Sequence, residues 1–354
     1  MKFVKNNIVP IAIFLLTVIA FYYSEMSLNY LSAEVYTRFI RNMLFTLALI
    51  LPVTCGMGIN FAIIVGAISA QMAVVFALDL NLTGILALLF VVGVSAVLSV
   101  LFGFLVALLL NKARGNEMIV SIMIGQLSSV IYQFIFMVAY GTVIHPLNTD
   151  ILLERGIGVR SMLDAKNISE VFEKILPFKF EGKTYTLFPV LIILVFSLIL
   201  FYLQRAKIGV LAKAVGSNLS HANTLGIKSN RVRSICIIIS TVFAAMSQIM
   251  LIGDFGTINV YTGHLGLDTF AAAAILVGGA SIKEARMRNC FVGVILFHAL
   301  FITSPMAGQN LFNKPSVGEY FRSFLAYGVI VIAIIMNLRK EKMEKERILR
   351  ETLK

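Results

Sequence analysis

The sequence predicts an all-α, polytopic integral membrane protein with about ten transmembrane helices and both termini in the cytoplasm. Hydrophobic residues make up 59% of the 354-residue chain and charged residues only 14%, whereas a soluble domain carries about 25% charged residues. Apolar runs of about 20 residues, long enough to cross a bilayer as a helix, recur along the chain. Basic residues concentrate in alternate connecting segments. This composition excludes a soluble globular domain, a disordered chain and a collagen-like fold.

The predicted spans follow one another with mostly short connections. They lie at 8–23, 41–57, 59–78, 82–110, 118–140, 187–204, 233–252, 269–282, 290–304 and 321–338. The run at 269–282 is short for a full crossing, and residues 55–60 interrupt an otherwise apolar stretch. The first run follows Lys2 and Lys5 as a signal peptide would, but no small-residue cleavage site follows it. We therefore expect it to remain as the first helix.

The charge distribution predicts the orientation. With the N-terminus inside, the inner segments are 1–7, 111–117, 205–232, 283–289 and the tail from Arg339. They hold about two thirds of the 30 Lys and Arg residues but only a third of the 18 Asp and Glu residues. Since Lys and Arg accumulate in short cytoplasmic loops, an even number of crossings with both ends inside is predicted. The basic excess then reflects topology and attraction to lipid headgroups, and no nucleic acid partner is expected.

Two connecting segments are long. Segment 141–186 is expected outside, either as a solvated connector or as a small lobe that meets a partner, with a helix predicted at 167–174. Segment 205–232 is expected inside and contains basic residues but no acidic one. Its glycines, Gly216 and Gly226, separate short amphipathic stretches. The mixture of small, apolar and basic residues indicates a docking surface, with a plain basic loop as the alternative.

Several kinds of chemistry lack the residues they need. No acidic residue lies in the middle of a predicted span, which argues against a proton-coupled or sodium-coupled carrier, and no channel filter motif occurs. The phosphate-loop pattern G-x-x-x-x-G-K-[ST] is absent. Cys55, Cys236 and Cys290 lack metal-ligand spacing and are expected to be small core residues. The chain is therefore not expected to be an enzyme or to hold a cofactor, and uphill transport would need energy from a partner.

Three motifs occur in the order seen in a known family. The first is Lys207-Ile-Gly209-x4-Ala214-Val215-Gly216-x-Asn218-x3-Ala222-x3-Gly226-Ile227, the second runs from Tyr261 to Ser281 through Gly266-Leu-Asp268 and Gly278-Gly279, and the third is Gly58-Ile-Asn60 followed by Val65-Gly66. Together they resemble permease subunits of ABC importers of the ribose/simple sugar/nucleoside and branched-chain amino acid group. The run Asn116-Glu-Met-Ile-Val-Ser121-Ile-Met is similar to the nucleoside-type branch.

This resemblance implies a half-transporter in the cell (inner, cytoplasmic) membrane. Residues 1–354 would form one permease domain, paired with a second copy or a paralogue. Two ABC ATPase subunits would bind beneath the pair, and an external solute-binding protein would deliver the solute. The inner loop 205–232 would contact the ATPase through Gly209, Lys213, Ala214, Val215, Gly216, Asn218, Ala222, Gly226 and Ile227.

Polar residues in apolar spans are the candidates for lining the path. They are Asn60, Ser69, Gln71, Ser121, Gln126 and Gln248, with Asp268 at the start of a span. Polar side chains at membrane depth usually face the bundle interior, so helix packing is the alternative role for each. Uncharged hydroxyl and amide groups suit a neutral sugar or nucleoside better than an ion.

Other functions remain open at this point. A branched-chain amino acid permease is the alternative within the same class. Its carboxylate substrate would favour a cation in the path, and no Lys or Arg is expected in the middle of a span. The alternative of another class is an ATP-independent secondary carrier or channel, and a membrane-anchored enzyme ranks after it.

Overall fold

A computed structural model of the chain describes residues 7–180, 183–314 and 317–324, together with positions 327, 328, 331 and 335. The helices are α1 (Ile8–Ser24), α2 (Leu28–Ala48), α3 (Ile50–Thr54), α4 (Ile64–Asp79), α5 (Gly84–Lys112), α6 (Glu117–Phe134), α7 (Lys166–Lys174), α8 (Phe188–Arg205), α9 (Lys207–Ser217), α10 (Leu219–Thr224), α11 (Ser229–Phe255), α12 (Leu267–Val277) and α13 (Met287–Phe312). The strands are β1 (Met162–Asp164), β2 (Pro177–Phe180), β3 (Lys183–Thr186) and β4 (Thr257–Asn259). A 3₁₀ turn at Phe61–Ile63 leads into α4, and a π-helical turn at Ile135–Ala139 extends α6.

Six segments in the described part of the chain are long and apolar enough to cross a bilayer. They are Phe61–Asp79, Gly84–Lys112, Glu117–Ala139, Phe188–Arg205, Ser229–Phe255 and Met287–Phe312. Helices α1 and α12 are apolar but shorter. The six segments match predicted spans, while the predicted total of about ten is not confirmed by the described residues.

Two expectations need correction, and a third is largely untested. Helix α2 begins at Leu28, well before the predicted span at 41–57, and α3 forms the end of that span. Arg38 therefore lies inside a helix rather than before one, and Arg41 lies in the interior of the helix rather than at its start. Most of the predicted span 321–338 lies outside the described residues. The fold is mostly helical rather than all-α, because the described part also contains four short strands.

The chain divides into two compact units, one of which is Ile40–Thr269. Its centre is α11, which packs against α3, α4 and α5. Glycines permit the close approach: a Cβ atom on Gly66 would lie 2.2 Å from the carbonyl oxygen of Thr241, and one on Gly103 would lie 2.2 Å from the Thr241 hydroxyl oxygen. In a bilayer no hydrophobic driving force holds helices together. Small residues at helix crossings stabilise the contact instead, because they allow close packing.

Segment 141–186 forms a folded lobe on this unit. Its helix α7 confirms the helix predicted at 167–174 and packs against α5 and α11. A Cβ atom on Gly253 of α11 would lie 2.8 Å from the Phe172 ring, so only glycine fits there without a shift. Strand β1 pairs antiparallel with β4, with Leu163 opposite Ile258. The segment is therefore folded against the bundle, and the predicted contact of this lobe with a partner stays a prediction.

Two connecting segments, 111–117 and 205–232, meet at the other end of α11. Arg233 forms a 2.6 Å ion pair with Glu117, and both side chains are largely buried. Arg114 donates a 2.8 Å hydrogen bond to the side chain of Asn230. Segments 111–117 and 205–232 thus lie at one end of the helices and the 141–186 lobe at the other, as alternating crossings require.

The second unit combines Met1–Phe39 with Phe270–Lys354. Helices α1 and α13 pack together in it and run in the same direction. Pro10 lies near Gly279 at one end, where a Cβ atom on the glycine would be 3.1 Å from the proline ring. At the other end, Asn310 donates a 2.9 Å hydrogen bond to the carbonyl oxygen of Tyr23.

Candidate coupling surface and translocation path

The inner loop folds into two short helices between α8 and α11. The chain turns at Ala206, whose φ of −68° and ψ of 169° end α8 and start α9. Gly209 permits this turn, because a Cβ atom there would lie 2.3 Å from the carbonyl oxygen of Gln204. The side chain of Asn218 caps α10 by accepting a 2.9 Å hydrogen bond from the amide of His221. Asn218 is a favourable N-cap residue and lies directly before the first residue of α10.

Some of the predicted coupling residues are buried or half-buried in the inner loop, whereas others are exposed. Val215 and Ala222 are 2% exposed and belong to the packing of the loop against the bundle. Ala214 and Ile227 are half-buried, and the amide of Ile227 donates to the carbonyl oxygen of Ala222 at 3.1 Å. Gly226 has a φ of +78° and ends α10 in the left-handed conformation that favours glycine.

An exposed face remains on the inner loop. Lys213 and Asn218 are exposed, as are two apolar side chains, Val210 at 59% and Leu225 at 68%. Among the described residues Lys213 has no ion pair, and Lys207 is exposed beside it on α9. These four exposed residues of the inner loop, Lys207, Val210, Lys213 and Leu225, are cationic or apolar, and we name them the coupling surface.

Gly216 joins the inner loop to the bundle through its backbone. A Cβ atom on Gly216 would lie 2.2 Å from the carbonyl oxygen of Thr54, and one on Gly56 would lie 2.9 Å from the Cα atom of Gly216. Gly56 has a φ of +78°. Both positions therefore require glycine, one for space and the other for space and conformation.

Polar residues form hydrogen bonds in and around the 3₁₀ turn that precedes α4. Asn60, 2% exposed, caps the 3₁₀ turn by accepting a 3.1 Å hydrogen bond from the Ala62 amide. Ser121 of α6 accepts a 3.1 Å hydrogen bond from the amide of Phe61. Ser69 donates to the carbonyl oxygen of Val65 within α4. These three candidate path residues therefore satisfy backbone groups, as packing residues would.

Three glutamines hold one irregular segment after α11. Gln71 of α4 donates to the carbonyl oxygen of Asn259 at 3.2 Å, and Gln133 of α6 donates to that of Tyr261 at 2.8 Å. Gln248 of α11 donates to the carbonyl oxygen of Gly263 at 3.3 Å. Non-helical backbone within a bundle needs internal partners, because lipid supplies none. We name these three side chains the glutamine clasp.

A buried histidine lies next to the clasp. His264 Nδ1 lies 2.8 Å from Gln71 Oε1, and the Gln71 amide is oriented by its bond to Asn259, so Nδ1 is the donor. The His264 ring packs edge-on against Tyr132, with centroids 5.2 Å apart. Among the described residues, three buried polar atoms here have no hydrogen-bond partner: Tyr132 Oη, His264 Nε2 and Gln248 Oε1. One donor and two acceptors thus lie buried around the clasp.

The remaining path candidates lie elsewhere. Gln126 is exposed on α6. It belongs to a stripe of exposed apolar side chains at helical spacing, Ile119, Ile122, Met123, Leu127 and Val130. Asp268 is half-buried in the first turn of α12, with the Thr269 hydroxyl 3.5 Å from its carboxylate. The structure therefore brings Gln71 and Gln248 together in the clasp but separates Gln126 from them.

A tyrosine ties the folded lobe to the end of α4. Tyr140 donates to Asp79 at 3.3 Å, and Asp79 also accepts a 3.0 Å hydrogen bond from the Asn148 amide. Burial raises the pKa of the Tyr140 phenol, and the neighbouring carboxylate raises it further. The phenol therefore stays protonated and remains a donor.

Sequence reasoning missed the partners of the clasp. Gln133 was visible as a polar residue in a span, but its pairing with Tyr261 depends on the course of segment 257–266. His264 stands alone in the sequence, without a ligand or catalytic spacing. No sequence signal marks the three acceptors, because they are the backbone carbonyl oxygens of Asn259, Tyr261 and Gly263.

Comparison with known proteins finds several relatives. BraD of Pseudomonas aeruginosa, a high-affinity branched-chain amino acid transport system permease protein, is 26% identical over 152 residues, 43% of this chain and 44% of the relative. YtfT of Escherichia coli, a galactofuranose transporter permease protein, is 24% identical over 281 residues, 77% of each chain. LsrC of Photorhabdus laumondii, an autoinducer 2 import system permease protein, is 29% identical over 136 residues, 36% of this chain and 40% of the relative. The chain thus spans less than half the length of BraD and about three quarters of YtfT.

No solved structure matches the chain. A family described as branched-chain amino acid transport system, permease component, matches residues 31–336. The matched segment covers most of the 354 residues. The chain is therefore a multi-pass membrane protein that belongs to this family of transport system permease components.

Proposed function

We propose that the chain is the membrane permease subunit of an ATP-driven ABC importer in the cytoplasmic membrane, with both termini inside and about ten crossings. The observation that carries this proposal is the family match over residues 31–336. The exposed coupling surface, Lys207, Val210, Lys213 and Leu225, would contact an ATPase subunit. Its cations suit acidic groups, and its apolar side chains suit a groove.

Movement would pass from the coupling surface to the path through packed backbone. Helix α9 touches the turn at Gly56, and that turn leads through Asn60 into α4. Helix α4 carries Gln71, which holds the irregular segment at Asn259. Packed cores move between discrete arrangements rather than deforming gradually. ATP binding in the partner would therefore shift α9, α4 and the clasp as connected parts.

The solute proposed is a simple sugar or nucleoside delivered by an external binding protein. The buried hydroxyl of Tyr132 and the acceptors on His264 and Gln248 suit a ligand with several hydroxyl groups. Buried polar atoms without partners are rare in proteins and commonly mark a functional site. The relatives YtfT and LsrC, named for galactofuranose and autoinducer 2 import, favour the same class.

Branched-chain amino acids are the second candidate. The relative BraD is named for that transport, and α2 carries Arg38 and Arg41 within a helix. Arg41 is paired with Asp254, however, so its charge is already compensated.

A second permease, either a copy or a paralogue, would complete the pathway. The stripe on α6 supports this role, because Gln126 places an amide in the middle of an otherwise apolar exposed face. A polar side chain facing lipid is unfavourable, whereas one facing another helix can form a hydrogen bond.

The test is uptake in proteoliposomes. The chain is reconstituted with a candidate ATPase and binding protein, and uptake of labelled ribose, a nucleoside and leucine is measured with and without ATP. The proposal expects ATP-dependent uptake of a sugar or nucleoside. Uptake of leucine alone would favour the amino acid alternative, and uptake by the chain without ATPase would favour a carrier or channel.

A further inference from the structure

An apolar groove lies between α1 and α13. Its volume is about 430 Å³. Its walls are apolar side chains from the two helices, Pro10, Ile11, Phe14, Val292, Ile295 and Leu296. One polar end is formed by Asn7 and Arg288. The groove is thus mostly apolar, with a cation at one end.

The position of the cation follows from the direction of the helices. Asn7 immediately precedes α1, and Arg288 lies in the first turn of α13. Because α1 and α13 run in the same direction, both ends lie on one side of the bundle. The charge distribution predicts that 1–7 and 283–289 face the cytoplasm. The polar end of the groove is then at the inner headgroup layer, and the apolar part extends toward the bilayer centre.

Within the described residues, Arg288 has no compensating charge. The side chain is exposed, and among the described residues it has no ion pair. Arg286, two positions earlier, lies 3.9 Å from Glu284. Deeper in the groove, Phe14 is 55% exposed and Ile295 is 45% exposed. Among the described residues, the groove is therefore lined by one unpaired cation, Arg288, and by accessible apolar side chains, Phe14 and Ile295.

We propose that an anionic phospholipid binds in this groove, with its phosphate at Arg288 and an acyl chain along Ile11, Phe14 and Ile295. A phospholipid has the same order of groups as the groove, a single anionic head followed by a long apolar chain. Basic pockets between transmembrane helices on the cytoplasmic side bind anionic headgroups. A soluble anion alone would leave the apolar side chains of the groove uncovered.

The test uses the purified full-length chain in a neutral detergent. Thermal unfolding is measured after addition of phosphatidylglycerol, of phosphatidylcholine with the same acyl chains, or of inorganic phosphate. A ligand that binds only the folded state raises the midpoint of unfolding. We expect the midpoint to rise with phosphatidylglycerol, to rise less with phosphatidylcholine and to stay unchanged with phosphate.

Two variants locate the effect. Arg288→Gln should weaken the apparent affinity for phosphatidylglycerol about fivefold, while the matched control Arg286→Gln should leave it unchanged. Ile295→Trp, which fills the exposed floor, should reduce the effects of both lipids. Midpoints without lipid report whether each variant folds.

Three results would overturn the proposal. They are equal stabilisation by the two lipids in the unsubstituted chain, equal loss in both arginine variants, or stabilisation by phosphate alone, which would indicate an ion site. A groove covered by a second copy would instead give a midpoint that depends on protein concentration and not on lipid charge, and this too would contradict lipid binding. None of these measurements depends on transport, so the importer proposal stands or falls separately.

Discussion

Gly56 and Gly216 meet backbone to backbone: a Cβ atom on Gly56 would lie 2.9 Å from the Cα atom of Gly216. Their contact fastens the inner loop to the turn that leads into α4. A contact between main chains cannot be loosened by a change of side-chain rotamer, so the two segments move together or separate. Whether the contact also couples the ATPase to the path is decided by measurement, because proximity alone does not establish coupling.

Gly216→Ala should destabilise the chain and impair coupling. The added methyl group would meet the carbonyl oxygen of Thr54 at 2.2 Å, so α9 must shift. Overpacking of this kind costs about 1–3 kcal/mol. The midpoint of thermal unfolding should fall, and ATP-dependent uptake should fall further than the folded fraction does.

The matched control is Gly93→Ala, the same change in an exposed helical position. A Cβ atom on Gly93 of α5 has no neighbour within 4 Å. Alanine is favoured over glycine in a helix by about 0.5–1 kcal/mol, so this variant should be at least as stable as the unsubstituted chain. Equal behaviour of the two variants would refute the role given to the Gly56 and Gly216 contact.

Lys213→Glu should weaken association with the ATPase without destabilising the permease. The side chain is exposed, and exposed substitutions usually change stability by less than about 0.5 kcal/mol. Reversing a charge at an interface should weaken binding about tenfold. Co-purification with the ATPase, titrated against salt, measures the effect. Lys179→Glu, an exposed lysine in the 141–186 lobe, is the control, and an equal loss there would argue against a specific surface.

Replacing a clasp glutamine by leucine should leave a buried carbonyl group unpaired. Gln133→Leu and Gln248→Leu should each cost about 1 kcal/mol, and Gln71→Leu about twice as much because it also loses His264. Unfolding in detergent and ATP-dependent uptake measure the two consequences. Gln126→Leu, the same substitution at an exposed position outside the clasp, is the control. It should leave the stability of the isolated chain unchanged, and a loss as large as that of Gln71→Leu would contradict the assignment of the clasp.

The Arg233 and Glu117 pair predicts a strongly non-additive double mutant. Arg233→Met leaves a largely buried carboxylate without its partner and should cost about 3–5 kcal/mol. Adding Glu117→Met should recover most of that loss, since a buried ion pair replaced by apolar groups is often neutral. Denaturation of the single and double variants tests this. Additive losses would show that the pair contributes little. The exposed pair Lys174 and Glu170 is the comparison, expected near zero.

Apolar length and charge bias were enough to predict most of the bundle. The spans around α4, α5, α6, α8, α11 and α13 follow from composition, because a helix in lipid needs a continuous apolar run. The start of α2 could not be predicted in this way. Its first two thirds contain Glu34, Arg38 and Arg41, polar residues that lower the hydropathy while leaving the helix intact.

The candidate site was less predictable than the bundle. The family motif singled out Gly209 and Gly216 in the inner loop, but it could not show that they lie against Gln204 and Thr54. Their contact with an ATPase stays a prediction. In the same way, the glutamines were identified as polar, while their acceptors lie far away in the sequence: Gln71 and Asn259 are 188 positions apart. Such pairings depend on tertiary packing, which local patterns do not encode.

Cysteine labelling is the most direct test of the central claim that segment 205–232 is the cytoplasmic docking surface. The native cysteines, Cys55, Cys236 and Cys290, are free and buried, so they should react little. Lys213→Cys and Lys179→Cys would each be treated with a membrane-impermeant maleimide in right-side-out and inverted vesicles. We predict that Lys213→Cys reacts only in inverted vesicles and that bound ATPase protects it from labelling. Lys179→Cys should react only in right-side-out vesicles. Labelling of Lys213→Cys from the external side would contradict the account.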